Sequence, residues 1–126
     1  MPTETLPVVV TVISNYIAEH SDEQEPRYVF TYQVTINNNS DKQLQLLSRY
    51  WQITDADNQV STVTGDGVVG KQPVINPNSS YQYTSGCILK TPVGAMQGHY
   101  IMQYNQQMSV KVDIPAFGLA VPNKLN

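Results

Sequence analysis

The run Gly65-Asp66-Gly67-Val68-Val69-Gly70 is a first stretch of this sequence that could do chemistry. Its glycines fit the G-x-G-x-x-G spacing of loops that cradle a pyrophosphate, where the N–H groups of a following helix face the anion. The context that this chemistry needs is missing. Pro73 comes soon after Gly70, the next residues read as extended, and no acidic residue stands about 20 positions on to hold a ribose. Gly70-Lys71-Gln72 has the lysine of a phosphate-binding Walker loop but not its hydroxyl. The expectation is a loop whose glycines take positive φ while the chain crosses between sheets. Arg49 is the other candidate. It shares a strand face with Leu47 and Trp51, so its charge must be paired, reach the sheet edge or lie over an aromatic ring. Contact with an anion is the alternative. Gly65, Asp66, Gly67, Gly70 and Arg49 are therefore the candidate ligand-binding or partner-binding residues.

Metal and nucleophile chemistry find less support. Asp55-Ala56-Asp57-Asn58-Gln59 opens like a calcium loop, but Val60 occupies the sixth position, where glycine is needed, and Asp66 the twelfth, where glutamate binds. A solvated hairpin turn is expected instead. Asp55, Asp57 and Asp66 could gather near one end of the molecule, without forming an octahedral magnesium cage. Cys87 is the single cysteine, and His20 and His99 are the two histidines. These are too few for a four-ligand zinc site and poor for cobalt. As a nucleophile, Cys87 would need a base and an electropositive setting, and nothing in the spacing supplies either. The expectation is no catalytic residue, no metal site, no cofactor and no enzymatic activity. The eight tyrosines fall mostly on the apolar phase of strands and are expected to pack in a core.

Strands must position these residues. Tyr28, Phe30, Tyr32, Val34 and Ile36 alternate with more polar neighbours, the period of a strand with one face on a core. Asn37-Asn38-Asn39-Ser40-Asp41 ends that strand. A second runs from about Leu44 to Asp55, with Leu47, Arg49, Trp51 and Ile53 on one face. Its return runs from Gln59 to Thr64. Further strands are expected at Val8 to Tyr16, apolar enough for partial burial on both faces, at Ser80 to Cys87, at Gly98 to Tyr104, and at Met108 to Ile114, stopped by Pro115. A short extended piece lies between Pro73 and Pro77. No convincing helix is found. The pattern predicts an all-β sandwich of fibronectin type III or immunoglobulin kind, with about seven or eight antiparallel strands. Trp51, Phe30, Tyr32, Val34, Ile36, Val110 and Val112 are its expected core. One domain fills the 126 residues, with terminal extensions at about 1–6 and 119–126.

Composition narrows the partners. Charged residues make up 13% and the formal net charge is −3, while 10 Asn and 12 Gln take over much of the surface role. A charge-poor, weakly acidic chain lacks the basic stripe that duplex nucleic acid requires. No apolar run approaches a membrane span, and Met1-Pro2-Thr3-Glu4 does not open a secretory signal. A single cysteine excludes an intrachain disulfide. A reduced, cytoplasmic location is expected.

From the middle of the chain onward the sequence resembles the ApaG family. The residues that carry the likeness are 47–55 (LSRYWQITD), 65–75 (GDGVVGKQPVI), 83–87 (YTSGC) and 91–100 (TPVGAMQGHY), with 28–38 and 112–117 fitting as well. Tyr50 stands where the family most often has histidine. The resemblance implies a fibronectin type III-like sandwich and an association with cobalt resistance and magnesium efflux, and it brings no established catalytic residues. Related domains in eukaryotic F-box proteins and in a polymerase-interacting protein look like partner-binding modules. The functional expectation is a non-catalytic interaction module that holds a protein partner by loops or a sheet edge, with weak self-association through such an edge. The alternative is a binder of nucleotides or dinucleoside polyphosphates, through the Gly65–Gly70 loop and Arg49.

Overall fold

A computed structural model describes residues 6–122. Eight strands follow in chain order: β1 (Val8–Tyr16), β2 (Tyr28–Asn38), β3 (Leu44–Asp55), β4 (Val60–Asp66), β5 (Val74–Ile75), β6 (Ser79–Leu89), β7 (Val93–Tyr104) and β8 (Met108–Ala120). A 3-10 turn, Ala18–His20, lies between β1 and β2. Every strand pairing is antiparallel. A three-stranded sheet has the order β1-β2-β6 and a five-stranded sheet the order β4-β3-β7-β8, with β5 also on β3. The two sheets enclose one core, the sandwich of fibronectin type III kind that the period-two pattern predicts.

The strict alternation of β2 does what it predicts. Tyr28, Phe30, Tyr32, Val34 and Ile36 are buried, while the residues between them are half-exposed. Trp51, Val110 and Val112 are buried with them. The Trp51 indole meets Tyr32 and Phe117 edge-on, with ring centroids 5.3 and 5.8 Å away, so three elements share one aromatic centre.

Two β-bulges correct the sequence reading. In β3 the register with β7 shifts between Leu46 and Ser48. One extra residue reverses the phase of a strand. Leu44 and Leu46 are therefore fully buried before the bulge and Trp51 after it, while Leu47 leaves the core face assigned to it. In the second bulge, β8 places Pro115 and Ala116 opposite Gln97 of β7, between the pairs Gly98–Ile114 and Met96–Phe117. A bulge asks no ladder N–H of its extra residue, so Pro115 sits in the strand without ending it. β8 runs on, and Leu119 and Val121 are buried. The extension expected from residue 119 is thus part of the core as far as Val121; residues 123–126 and 1–5 lie outside the described residues.

β1 is also less buried than expected. Val10 is buried and Val8 and Val12 pack on the core, but Val9 and Ile13 point to solvent, because the outer face of this sheet is uncovered. Along this side of the sandwich the two sheets meet: Ser14 Oγ of β1 donates to the Gly118 carbonyl of β8 at 2.8 Å. Among the described residues no helix is long and apolar enough to cross a membrane.

Candidate site at the seam between β4 and β6

The bulge in β3 anchors the glycine loop. It leaves the Leu47 carbonyl facing the loop, where it accepts the Gly67 N–H at 2.8 Å and the Gln72 side-chain amide at 2.9 Å. Gly67 has φ +63°, and a Cβ there would lie 2.1 Å from the Lys71 carbonyl oxygen, so only glycine fits. Val68 and Lys71 then exchange both backbone hydrogen bonds, at 2.8 and 3.0 Å. The two residues between them, Val69 and Gly70, both have positive φ, +47° and +76°, as a type I′ turn requires. A β-branched residue at that φ is strained. The loop of positive φ expected from the sequence is present at Gly67 and Gly70, but it does not cross between sheets, since β4 and β5 on either side of it both pair with β3. It does not behave as a pyrophosphate cradle, however, because its own backbone consumes the N–H groups of Gly67, Val68 and Lys71.

Arg49 reaches the same loop. Its Nη1 donates to the carbonyls of Asp66 and Gly67 at 3.1 and 3.0 Å. The guanidinium lies against Gly65, where a Cβ would come within 2.8 Å of Nη1. Four of the five candidate residues (Arg49, Gly65, Asp66 and Gly67) are therefore in direct contact, and Gly70 forms the rim. Arg49 thus reaches the edge strand β4, one of the roles expected for it, while the loop carbonyls that it holds there are not foreseen by the sequence. Among the described residues the guanidinium has no carboxylate partner: the one ion pair there joins Lys42 and Asp41 at 3.9 Å. The cleft beside Arg49 measures about 210 Å3, and Tyr32, Trp51, Val69, Tyr83 and Ser85 line it.

Phenol hydroxyls surround this cation. Tyr32 is hydrogen-bonded to Ser85, and the Tyr83 and Tyr100 hydroxyls share a short hydrogen bond. Burial raises all three phenols above their ordinary value, Tyr83 to about 12, and the nearby Arg49 charge opposes this only in part. All three are neutral hydrogen-bonding groups across the physiological range.

The other chemistry-bearing residues are dispersed. Asp55 and Asp57 sit at one end of β4 and Asp66 at the other, about 20 Å apart at the rise of a strand, so the three do not gather. Asp55 Oδ1 accepts the N–H groups of Asp57 and Gln59 at 2.8 and 3.0 Å, which makes it the anchor of the expected hairpin turn. His99 stacks on Tyr50 on the outer face of the larger sheet, with centroids 5.0 Å apart. Desolvation and then Lys111 lower its pKa, against a smaller opposing effect of Asp113. Cys87 belongs to the inward face of β6, half-buried, and burial pushes its thiol up. The core therefore lies between Cys87 and His99, and they cannot form a nucleophile–base pair. His20 stands in the exposed 3-10 turn, its carbonyl held by Arg27 Nε at 3.2 Å.

A further set of residues was not singled out from the sequence. The smaller sheet ends at β6, while the larger one continues past β3 to β4. Among the described residues, the inward face of β4, which carries Ser61, Val63 and Gly65 opposite Ile53, Trp51 and Arg49, therefore has no strand above it. Val63 is 40% exposed although it is paired with the buried Trp51. Val60 at 56%, Ile88 at 55% and Val69 at 61% exposure mark the rim of the same seam. A second depression of about 330 Å3 lies toward the far end, lined by Ile53, Val60, Ile88 and Leu89 together with Ser61, Asp55, Gln59 and Lys90. Only the strand order creates this feature, and no local sequence signal encodes it.

Two antiparallel sheets around one core define the class, a β-sandwich of fibronectin type III kind. A family model described as the ApaG domain matches residues 18–104. Protein ApaG of Mesorhizobium japonicum is 52% identical over 91% of this chain and 88% of its own. Protein ApaG of Vibrio atlanticus is 50% identical over 91% of both chains. The solved structure of an ApaA protein from Bordetella pertussis superposes with a TM-score of 0.90 at 40% identity, covering 97% of this chain and 99% of that one. The chain belongs to the ApaG family.

Proposed function

We propose that this protein is a non-catalytic, cytoplasmic interaction module that holds a protein partner at the β4–β6 seam. The observation that carries this reading is the row of exposed apolar residues along the seam: Val60 and Ile88 at one depression, Val69 at the other, and Val63 on the inward face of β4. Apolar groups grouped around a free strand edge are a docking feature rather than a catalytic one. Any part in cobalt resistance or magnesium efflux then runs through that partner, not through a metal held by this chain. Its His20, His99 and Cys87 lie in separate places, as do its Asp55–Asp57 and Asp66 carboxylates.

Arg49 supports a second reading, a binder of nucleotides or dinucleoside polyphosphates, because the guanidinium has uncommitted donors and no acidic partner among the described residues. The size of the cleft and the loop's committed N–H groups favour one small anionic group over a polyphosphate. Titration calorimetry with ATP and diadenosine tetraphosphate, and equilibrium dialysis with Co2+, separate the readings. The expected result is no micromolar binding of any of the three. Micromolar nucleotide binding lost in Arg49→Ala, or stoichiometric cobalt lost in His99→Ala, would overturn the module reading.

A further inference from the structure

We propose that the seam takes an extended segment of the partner as an added strand on β6, with an acidic side chain of that segment on Arg49. The inference rests on the partner-binding reading and specifies what the partner presents. Three observations carry it.

The first is the missing strand. A strand hydrogen-bonded to the edge of β6 would lie about 4.8 Å beside it and about 10 Å above β4, where no other strand of the described residues covers the Ser61–Val63–Gly65 face. On the opposite side of the sandwich the corresponding gap is closed by β1 against β8. The second is the character of the edge. Ser85-Gly86-Cys87-Ile88-Leu89 contains no charge and no proline, the usual guards of an edge strand. Of its inward side chains, Ser85 and Cys87 are small and leave room beneath an added strand, while Leu89 is buried in the core at the far end. The Val68–Lys71 turn, beside Ser85, closes one end, which leaves a run of about five residues, the usual length of a strand.

The third is charge. Arg49 faces this slot without a carboxylate among the described residues. The Asp66 and Gly67 carbonyl oxygens already beside it suit a singly charged carboxylate better than a doubly charged phosphate. The positions along the slot are spaced for a strand. Arg49, Trp51 with Val63, and Ile53 with Ser61 follow one another every second residue. Inward side chains of an added strand recur at the same interval, about 7 Å. β6 runs from the Arg49 end toward the Ile53 end, and the whole sheet is antiparallel. The segment therefore reads apolar-x-apolar-x-acidic from its N-terminus. Its first apolar residue fills the depression between Ile53, Val60 and Ile88, its second covers Val63, and its acid meets Arg49.

Selection of a displayed random twelve-residue peptide library on the immobilised protein tests this. The expected outcome is enrichment of apolar-x-apolar-x-acidic sequences. As synthetic peptides these should bind about tenfold or more weakly once their acid is made an amide, because a charge-assisted hydrogen bond is lost. The same loss is expected with the protein variant Arg49→Gln. Since Arg49 also holds the loop, Val63→Glu serves as a second variant: it changes an exposed side chain, leaves the fold intact and should abolish binding. Backbone amide shifts on titration should concentrate at Val60–Gly65 and Ser85–Leu89. Enriched peptides without an acid, or shifts on another face, overturn this inference and leave the partner-binding reading standing. No enrichment over bare support overturns it as well, while the broader reading is judged separately by calorimetry and by crosslinking to a partner.

Discussion

Arg49 shows how one residue type can be legible in a sequence while its task is not. Its place on an apolar strand face marks it as unusual, but that its Nη1 would hold the carbonyls of Asp66 and Gly67 depends on the bulge that brings the loop beneath it. Val69 is a simpler case. Its strained φ follows from a turn that prefers asparagine or glycine at that position. Val69→Asn is expected to raise stability by about 1 kcal/mol, read as a higher urea midpoint. An unchanged or lower midpoint would mean that the turn carries no strain. The buried phenols give a pH signature. Tyr83 and Tyr100 titrate above the ordinary value of 10.0, Tyr83 at about 12, so their neutral forms are favoured by folding. That contribution is fully present below pH 10.0 and is lost as pH rises from there through about 12. The melting temperature should fall across this window. Tyrosinate absorbance of the folded protein should show at least two phenols that ionise above the ordinary value of 10.0.

At the scale of elements, the strands were legible wherever the alternation is unbroken. β2 could be read residue by residue because each even position from Tyr28 to Ile36 is apolar and buried. β3 could not, because a bulge leaves no mark on single-sequence periodicity: Leu46-Leu47 offers two apolar neighbours, and which one faces inward is settled by the pairing with β7. The two leucines provide a direct check. Leu46→Ala should cost about 2–5 kcal/mol in urea unfolding, and Leu47→Ala clearly less, since only Leu46 is fully buried. Equal costs would contradict the phase reversal. Trp51 belongs to the same comparison. Removing its indole from between Tyr32 and Phe117 should cost about 3–5 kcal/mol. Pro115 shows the opposite error. Proline is a sound stop signal for a regular ladder, and β8 passes it only because Gln97 faces two residues instead of one.

At the scale of the whole molecule, the fold class followed from the pattern alone, but the seam did not. Val60-Ser61-Thr62-Val63 reads as an unremarkable hairpin strand. It becomes a ledge only because one sheet ends at β6 while the other continues to β4. The glycine loop, the most visible motif in the sequence, closes the end of that slot, and its conformational needs explain its glycines without any nucleotide. The claim that unites these observations is that a partner docks on the seam. Placing a photo-crosslinking amino acid at Val63 in living bacterial cells tests it most directly, with the same group at Ile13, which is even more exposed, on the outer face of the smaller sheet, as the comparison. The expected result is a discrete adduct with one protein from Val63 and none from Ile13, lost when Arg49→Gln is added. No discrete adduct from Val63, or equal adducts from both positions, would contradict the account.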